Sequence, residues 1–103
     1  MSGRLAAIKP AANTPTTLYE TPENKRVALT ISACNQGPGK DWVSIQLSSG
    51  TAGAEDYIEY RADVSASGVL ERSGIVLKEG EEVIVTAQQG TTSFMAWGIS
   101  EAL

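Results

Sequence analysis

The chain has no histidine and one cysteine, Cys34. Without histidine it lacks the commonest general base and the commonest metal ligand. A lone cysteine forms no internal disulfide and has no second thiol at metal-ligand spacing. Long apolar runs are also missing: nowhere do about 18 apolar residues follow one another, so no membrane-spanning helix is expected, and no charged leader with an apolar stretch behind it suggests a secretory signal. Lysine and arginine total eight, scattered, against twelve acids, giving a net charge of −4. Nucleic acid is therefore not an expected partner, because neutralising phosphates requires clustered cations. Together these absences point away from an enzyme and toward a soluble domain that binds or builds, with no catalytic residue, metal or cofactor.

What is present is the grammar of an all-β protein. The 103 residues suffice for one modest core, and Gly, Ser and Thr are plentiful while helix-favouring runs are scarce. The stretch 69–85 sets an apolar run, the turn Glu79-Gly80-Glu81 and the β-branched run Val83-Ile84-Val85 side by side, which reads as a β-hairpin. Residues 26–35 alternate with period two, Val27, Leu29, Ile31 and Ala33 on one face and Ala28, Thr30, Ser32 and Cys34 on the other. Residues 42–48 do likewise, Val43, Ile45 and Leu47 opposite Ser44, Gln46 and Ser48, so the polar face is wet or lies against something polar. Further strands are expected at 16–20, 56–64, 82–88 and 92–99, with short apolar pieces at 69–72 and 75–77. Turn signals recur every eight to twelve residues or so, the rhythm of a small antiparallel sandwich or barrel. The expected fold is a single antiparallel β-sandwich of seven or eight strands, Ig-like or jelly-roll, since strand order is not written in local pattern.

The beginning of the chain differs. Residues 1–15 contain Pro10, Asn13 and Pro15 and few large apolar groups, so they read as an extended N-terminal arm, mobile when alone, ahead of a sandwich domain at 16–103. Residues 1–19 carry Arg4 and Lys9 and no acid, leaving six bases against twelve acids in the remainder. A basic arm before an acidic body suits a unit that docks on a lattice, the arm becoming ordered on binding through Arg4, Leu5, Ile8 and Lys9.

Two side-chain groups could carry chemistry. Glu55, Asp56, Glu59, Asp63 and the Glu79, Glu81, Glu82 group could supply acid/base work or calcium ligands, but acids bounding a turn are ordinarily solvated, and no ladder of alternating aspartates is present. Trp42, Trp97, Tyr19, Tyr57 and Tyr60 offer the flat amphipathic rings a glycan or protein partner would use. Trp97, among apolar neighbours, reads as core. Trp42, opening a strand beside a Gly-rich loop, reads equally well as surface. Tyr57 and Tyr60 differ by three and should face opposite ways in a strand. Cys34 reads as a small buried hydrophobe.

Several segments in order carry a further signal: Ser2-Gly3-Arg4-Leu5, Ala12-Asn13-Thr14 followed by Thr17-Leu18-Tyr19, the strand from Val27 to Asn35, Asp56-Tyr57-Ile58-Glu59-Tyr60, the run from Val69 to Leu77, and Trp97-Gly98. In these the chain resembles a group of small virion structural proteins of tailed bacteriophages, especially those of cyanobacteria and marine bacteria. The resemblance spans nearly the whole chain. It implies a β-sandwich present in many copies on a particle assembled in the host cytoplasm, and it supplies no catalytic residues. The functional expectation is a non-enzymatic virion protein that decorates or cements the head, with the major capsid protein or other virion proteins as partners and a homo-oligomer or many copies on a lattice. Alternatives are a neck, tail, baseplate or fibre subunit, and a glycan-binding host-attachment module using Trp42, Tyr57 or Tyr60.

Overall fold

The computed structural model describes residues 2–102. Met1 and Leu103, the outer limits of the two segments expected from the sequence, lie outside the described residues. Eight strands follow one another: β1 (Ser2–Ile8), β2 (Thr16–Glu20), β3 (Lys25–Asn35), β4 (Asp41–Ser48), β5 (Tyr57–Val64), β6 (Val69–Lys78), β7 (Glu82–Ala87) and β8 (Thr92–Ala102), with one 3-10 turn at Ala54–Asp56 before β5. They make two four-stranded sheets. Sheet A has the order β1-β8-β3-β6 and sheet B the order β2-β7-β4-β5, and every pairing among the described residues is antiparallel.

The pairing is nested: β1 lies on β8, β2 on β7, β3 on β6 and β4 on β5. The chain is thus a ribbon doubled back on itself at the β4–β5 connection and then wound, with β3 on β8 and β4 on β7 closing the two sheets. That is the jelly-roll arrangement, and it decides between the two sandwiches left open by the sequence. Only β4 and β5 are consecutive and in the same sheet; each other connection crosses from one sheet to the other. The hairpin expected at 69–85 is therefore not one. The turn at 79–81 is real, with the Glu81 N–H donating to the Lys78 carbonyl, but it carries the chain from β6 in sheet A to β7 in sheet B. Local pattern specifies two strands and a turn, and says nothing of which sheet receives the second strand. Likewise 69–72 and 75–77 are one strand interrupted by a bulge, where Ser73 and Gly74 stand against the single residue Thr30 and Gly74 takes φ of +75°.

Alternation along the strands places the core where the sequence put it. Val27, Leu29, Ile31 and Ala33 of β3, Val43 and Ile45 of β4, Val83, Val85 and Ala87 of β7, and Phe94 and Ala96 of β8 are all buried between the sheets. Trp97 is not among them. It follows Ala96, so it points away from the core on the outer face of sheet A, where it is half-buried. Cys34 shares that face and is half-buried rather than in the core. The serine and glutamine face of β4 is covered by something polar: Ser48 Oγ donates to the Gly50 carbonyl, Gln46 Nε2 to the Gly53 carbonyl, and Ser44 Oγ accepts from the Arg61 N–H.

The segment expected to be an arm also differs. Residues 2–8 are β1, an edge strand of sheet A hydrogen-bonded to β8 of the same chain. Leu5 and Ile8, expected to wait for a partner, pack against the domain's own core. The pattern of small residues around them conceals this, because the pairing is made by backbone groups and its partner strand is the most distant in sequence.

Four crossing connections meet at one end of the sandwich: 9–15, 36–40, 65–68 and 88–91. Two buried polar side chains fasten the last three of them. Asn35 Nδ2 donates to the carbonyls of Gly39, Val64 and Ser65, while its Oδ1 accepts from the Gly37 N–H and Thr91 Oγ1, both at 2.9 Å. Asp41 Oδ1 accepts from the Trp42 and Gln89 N–H groups, and Oδ2 from Thr92 Oγ1 at 2.7 Å. Along the β5–β6 side, Arg72 reaches across the sandwich to the Ile58 carbonyl and the Glu59 carboxylate, the latter at 2.8 Å.

Candidate functional site

β5 departs from regular pairing twice. Against β4, the register passes from Val43↔Ala62 to Ile45↔Glu59 and then to Gln46↔Tyr57, so β5 carries an extra residue at each step. Arg61 takes φ of +50° at the first. Each inserted residue reverses the facing of the residues beyond it in the strand. Tyr57 and Tyr60, which simple alternation sends to opposite faces, consequently meet edge to face with ring centroids 4.8 Å apart and planes at 75°. Neither is core: they are 36% and 61% exposed.

The same distortion lays the Arg61 guanidinium 5.2 Å from the Trp42 ring centroid and 5.3 Å from that of Tyr60. Trp42, Arg61, Tyr60 and Tyr57 form a continuous row at the β4–β5 edge of sheet B. Beyond Tyr57 the row opens into a groove of about 570 Å³ lined by Gln46, Ala52, Gly53, Ala54 and the two tyrosines. The 3-10 turn holds the floor of this groove, with the Gly53 N–H donating to the Asp56 carboxylate at 2.8 Å. Trp42, Tyr57 and Tyr60, the three aromatic residues expected from sequence as possible glycan contacts, are brought together here. Sequence reasoning misses Arg61, because nothing in Tyr60-Arg61-Ala62 announces a left-handed arginine, and it sees Gln46 only as part of a polar strand face. Tyr19, by contrast, packs against the core, and burial raises its phenol pKa.

A second surface lies on the opposite side of the domain. Of the six exposed large hydrophobic side chains among the described residues, Val69, Val76, Met95 and Ile99 stand on the outer face of sheet A; the others are Tyr57 and Tyr60. Register sets Ile99, Ala28 and Val76 in one row across three strands, with Trp97 beside Thr30 in the next. Where β6 bulges at Gly74 the face dips into a hollow of about 330 Å³ walled by Trp97, Ile99, Ala28 and Thr30. Arg4 sits opposite Trp97 on the β1 side, and Lys9 is exposed just past the end of β1. The four residues expected to act together as an arm are thus divided: Arg4 and Lys9 face solvent and Leu5 and Ile8 face the core.

The acids behave as solvated or paired groups: Asp63 lies 3.7 Å from Lys40, Glu59 pairs with Arg72, and Glu79 accepts from the Asn24 N–H. Among the described residues no cluster of three or more acids and cysteines is arranged to hold a metal ion. In comparison with known proteins, the chain matches no family model and no curated protein sequence.

Proposed function

We propose that this protein is a non-enzymatic structural subunit of a tailed-phage particle, which decorates or cements the head lattice by seating the outer face of sheet A on the major capsid protein. The observation behind the proposal is that apolar face. Exposed apolar side chains gathered on one surface mark interaction sites more reliably than the same residues scattered singly. The hollow beside Trp97 gives the face a centre able to receive one bulky side chain of a partner, the arrangement of an interface hot spot. A jelly roll is an architecture used by capsid domains, and the sequence resembles small virion proteins. The docking element differs from the one expected from sequence: β1 is committed to sheet A, so the lattice contact is a sheet face rather than a free arm.

The test is to count the protein in purified particles by quantitative mass spectrometry against the major capsid protein, on intact virions and on separated heads and tails. Hundreds of copies travelling with heads support decoration; tens or fewer with tails place the subunit in the neck, baseplate or fibre. Val76 and Ile99 are 63% and 54% exposed. The double variant Val76→Asp, Ile99→Asp should therefore leave stability within about 1 kcal/mol of the parent. Its binding to isolated heads should weaken by about tenfold or more, since charges buried at the centre of an apolar contact are unpaired. Undiminished stoichiometric binding by that variant would remove the face from the proposal.

A further inference from the structure

The row Trp42, Arg61, Tyr60, Tyr57 with its groove is not used by the lattice contact and lies on the other sheet. We infer that it binds an acidic polysaccharide, holding a pyranose unit against the tyrosines with the unit's carboxylate on Arg61. The chemistry of the surface selects that class. A pyranose ring has an apolar C–H face and a rim of hydroxyls. The groove offers the complement, the aromatic rings of Tyr57 and Tyr60 together with the small residues 52–54 and the amide of Gln46. Gln46 is about nine-tenths buried and is held by its bond to the Gly53 carbonyl, so its orientation is fixed before a ligand arrives. Its Oε1 accepts no hydrogen bond among the described residues. The volume falls within the range of small-ligand sites, and the site is an open groove continued by an aromatic row, a form that suits a unit within a chain.

The charge follows from Arg61. Its neighbours' acids are engaged elsewhere, Asp63 with Lys40 and Glu59 with Arg72, and no carboxylate pairs with Arg61 among the described residues. Held between two rings, the guanidinium is fixed in place and keeps its capacity for a bidentate bond to a ligand carboxylate. Glu55 stands at the far, loop end of the groove next to Gly53 and repels an anion there, so the ligand is oriented with its acid toward Arg61.

This inference does not depend on the virion assignment, and its test uses the isolated full chain. A short oligogalacturonate and a neutral galacto-oligosaccharide of the same length are titrated by calorimetry at low ionic strength, with the fluorescence of Trp42 and Trp97 as a second signal. The acidic oligomer should bind about tenfold or more tightly than the neutral one, the contribution of one charge-assisted pair. Tyr60→Ala should remove binding of both. Arg61→Asn, chosen because asparagine tolerates the left-handed backbone, should bring the acidic oligomer down to the level of the neutral one, and Arg61→Lys should restore only part of the difference. Melting curves verify that each variant is folded. Absence of binding at millimolar oligomer, equal binding of the two oligomers by the parent, or unchanged binding by folded Tyr60→Ala each overturns the inference. Loss of binding to heads in the sheet A variant, by contrast, bears only on the lattice proposal.

Discussion

Asn35→Leu should be among the most destabilising single substitutions in the domain. Leucine keeps asparagine's branched outline, so no cavity is made; its bulkier methyl groups add some crowding, and the main loss is one of hydrogen bonds. Three carbonyls, from Gly39, Val64 and Ser65, lose a donor, and the Gly37 N–H and the Thr91 hydroxyl lose an acceptor, at a fully buried position. Each buried group left unsatisfied costs about 1–3 kcal/mol, and partial relaxation of exposed loop ends offsets some of it, so a net loss of about 3–5 kcal/mol is expected. Against a typical domain stability of about 5–15 kcal/mol, that moves a urea midpoint by more than about 1 M. Asn35→Asp provides a sharper test. It keeps the acceptor but turns a carboxylate toward three carbonyl oxygens, an environment that favours the protonated form and raises its pKa in the folded state. A raised folded pKa gives stability that is present at low pH and lost as pH rises. The deficit of Asn35→Asp relative to wild type at the same pH should therefore shrink on acidification toward the carboxylate range and grow toward neutrality. A deficit independent of pH, or a loss under about 1 kcal/mol for the leucine variant, contradicts the role given to Asn35.

Gly98→Ala should match it by a different route. A Cβ at Gly98 would fall on the Ala28 carbonyl oxygen and lie 2.8 Å from the Leu29 Cα. Both obstacles are backbone of β3, which is held between β8 and β6 and roots Val27, Leu29 and Ile31 in the core. Unlike a flexible side-chain end, that backbone moves only by opening the ladder, so about 3 kcal/mol or more is expected. Gly74→Ala is the control. There a Cβ meets open space, and only the φ of +75° is unfavourable, for a loss of about 1 kcal/mol. Equal losses at the two glycines, read from thermal or urea unfolding, would show that the close approach of β8 to β3 is not what fixes Gly98.

The two sites also mark what is legible in the sequence. Alternation places β2, β3 and β7 to within a residue and assigns both faces of β3, β4 and β8, because burial on one side of a sheet leaves a period of two in the chain. Partnership leaves no such trace. The small residues Gly3, Ala6 and Ala7 of β1 give no sign that it pairs with β8, and nothing around Gly80 shows that the chain is changing sheets. Trp97 misleads because both faces of β8 are apolar, Phe94 and Ala96 inward and Met95, Trp97 and Ile99 outward, so apolar neighbours do not mean core. The aromatic site is half legible. Its residue types stand out, but its geometry depends on two bulges that alternation cannot foresee, and they decide that Tyr57 and Tyr60 touch and that Arg61 lies over Trp42 and Tyr60.

Nested pairing also governs when this domain can fold. β1 has a single sheet partner, β8, and β2 a single one, β7, so the first strands synthesised wait for the last. On the ribosome, only the β4–β5 ladder can form between neighbours, and sheet A has no pairing available among the described residues until β6 has emerged. Refolding should accordingly run on the order of milliseconds to seconds rather than microseconds, with substitutions at the Ile45↔Glu59 pairing slowing it more than substitutions in β1. During that interval the apolar strand 27–33 has no neighbour, and translation is the stage at which the chain is most open to aggregation.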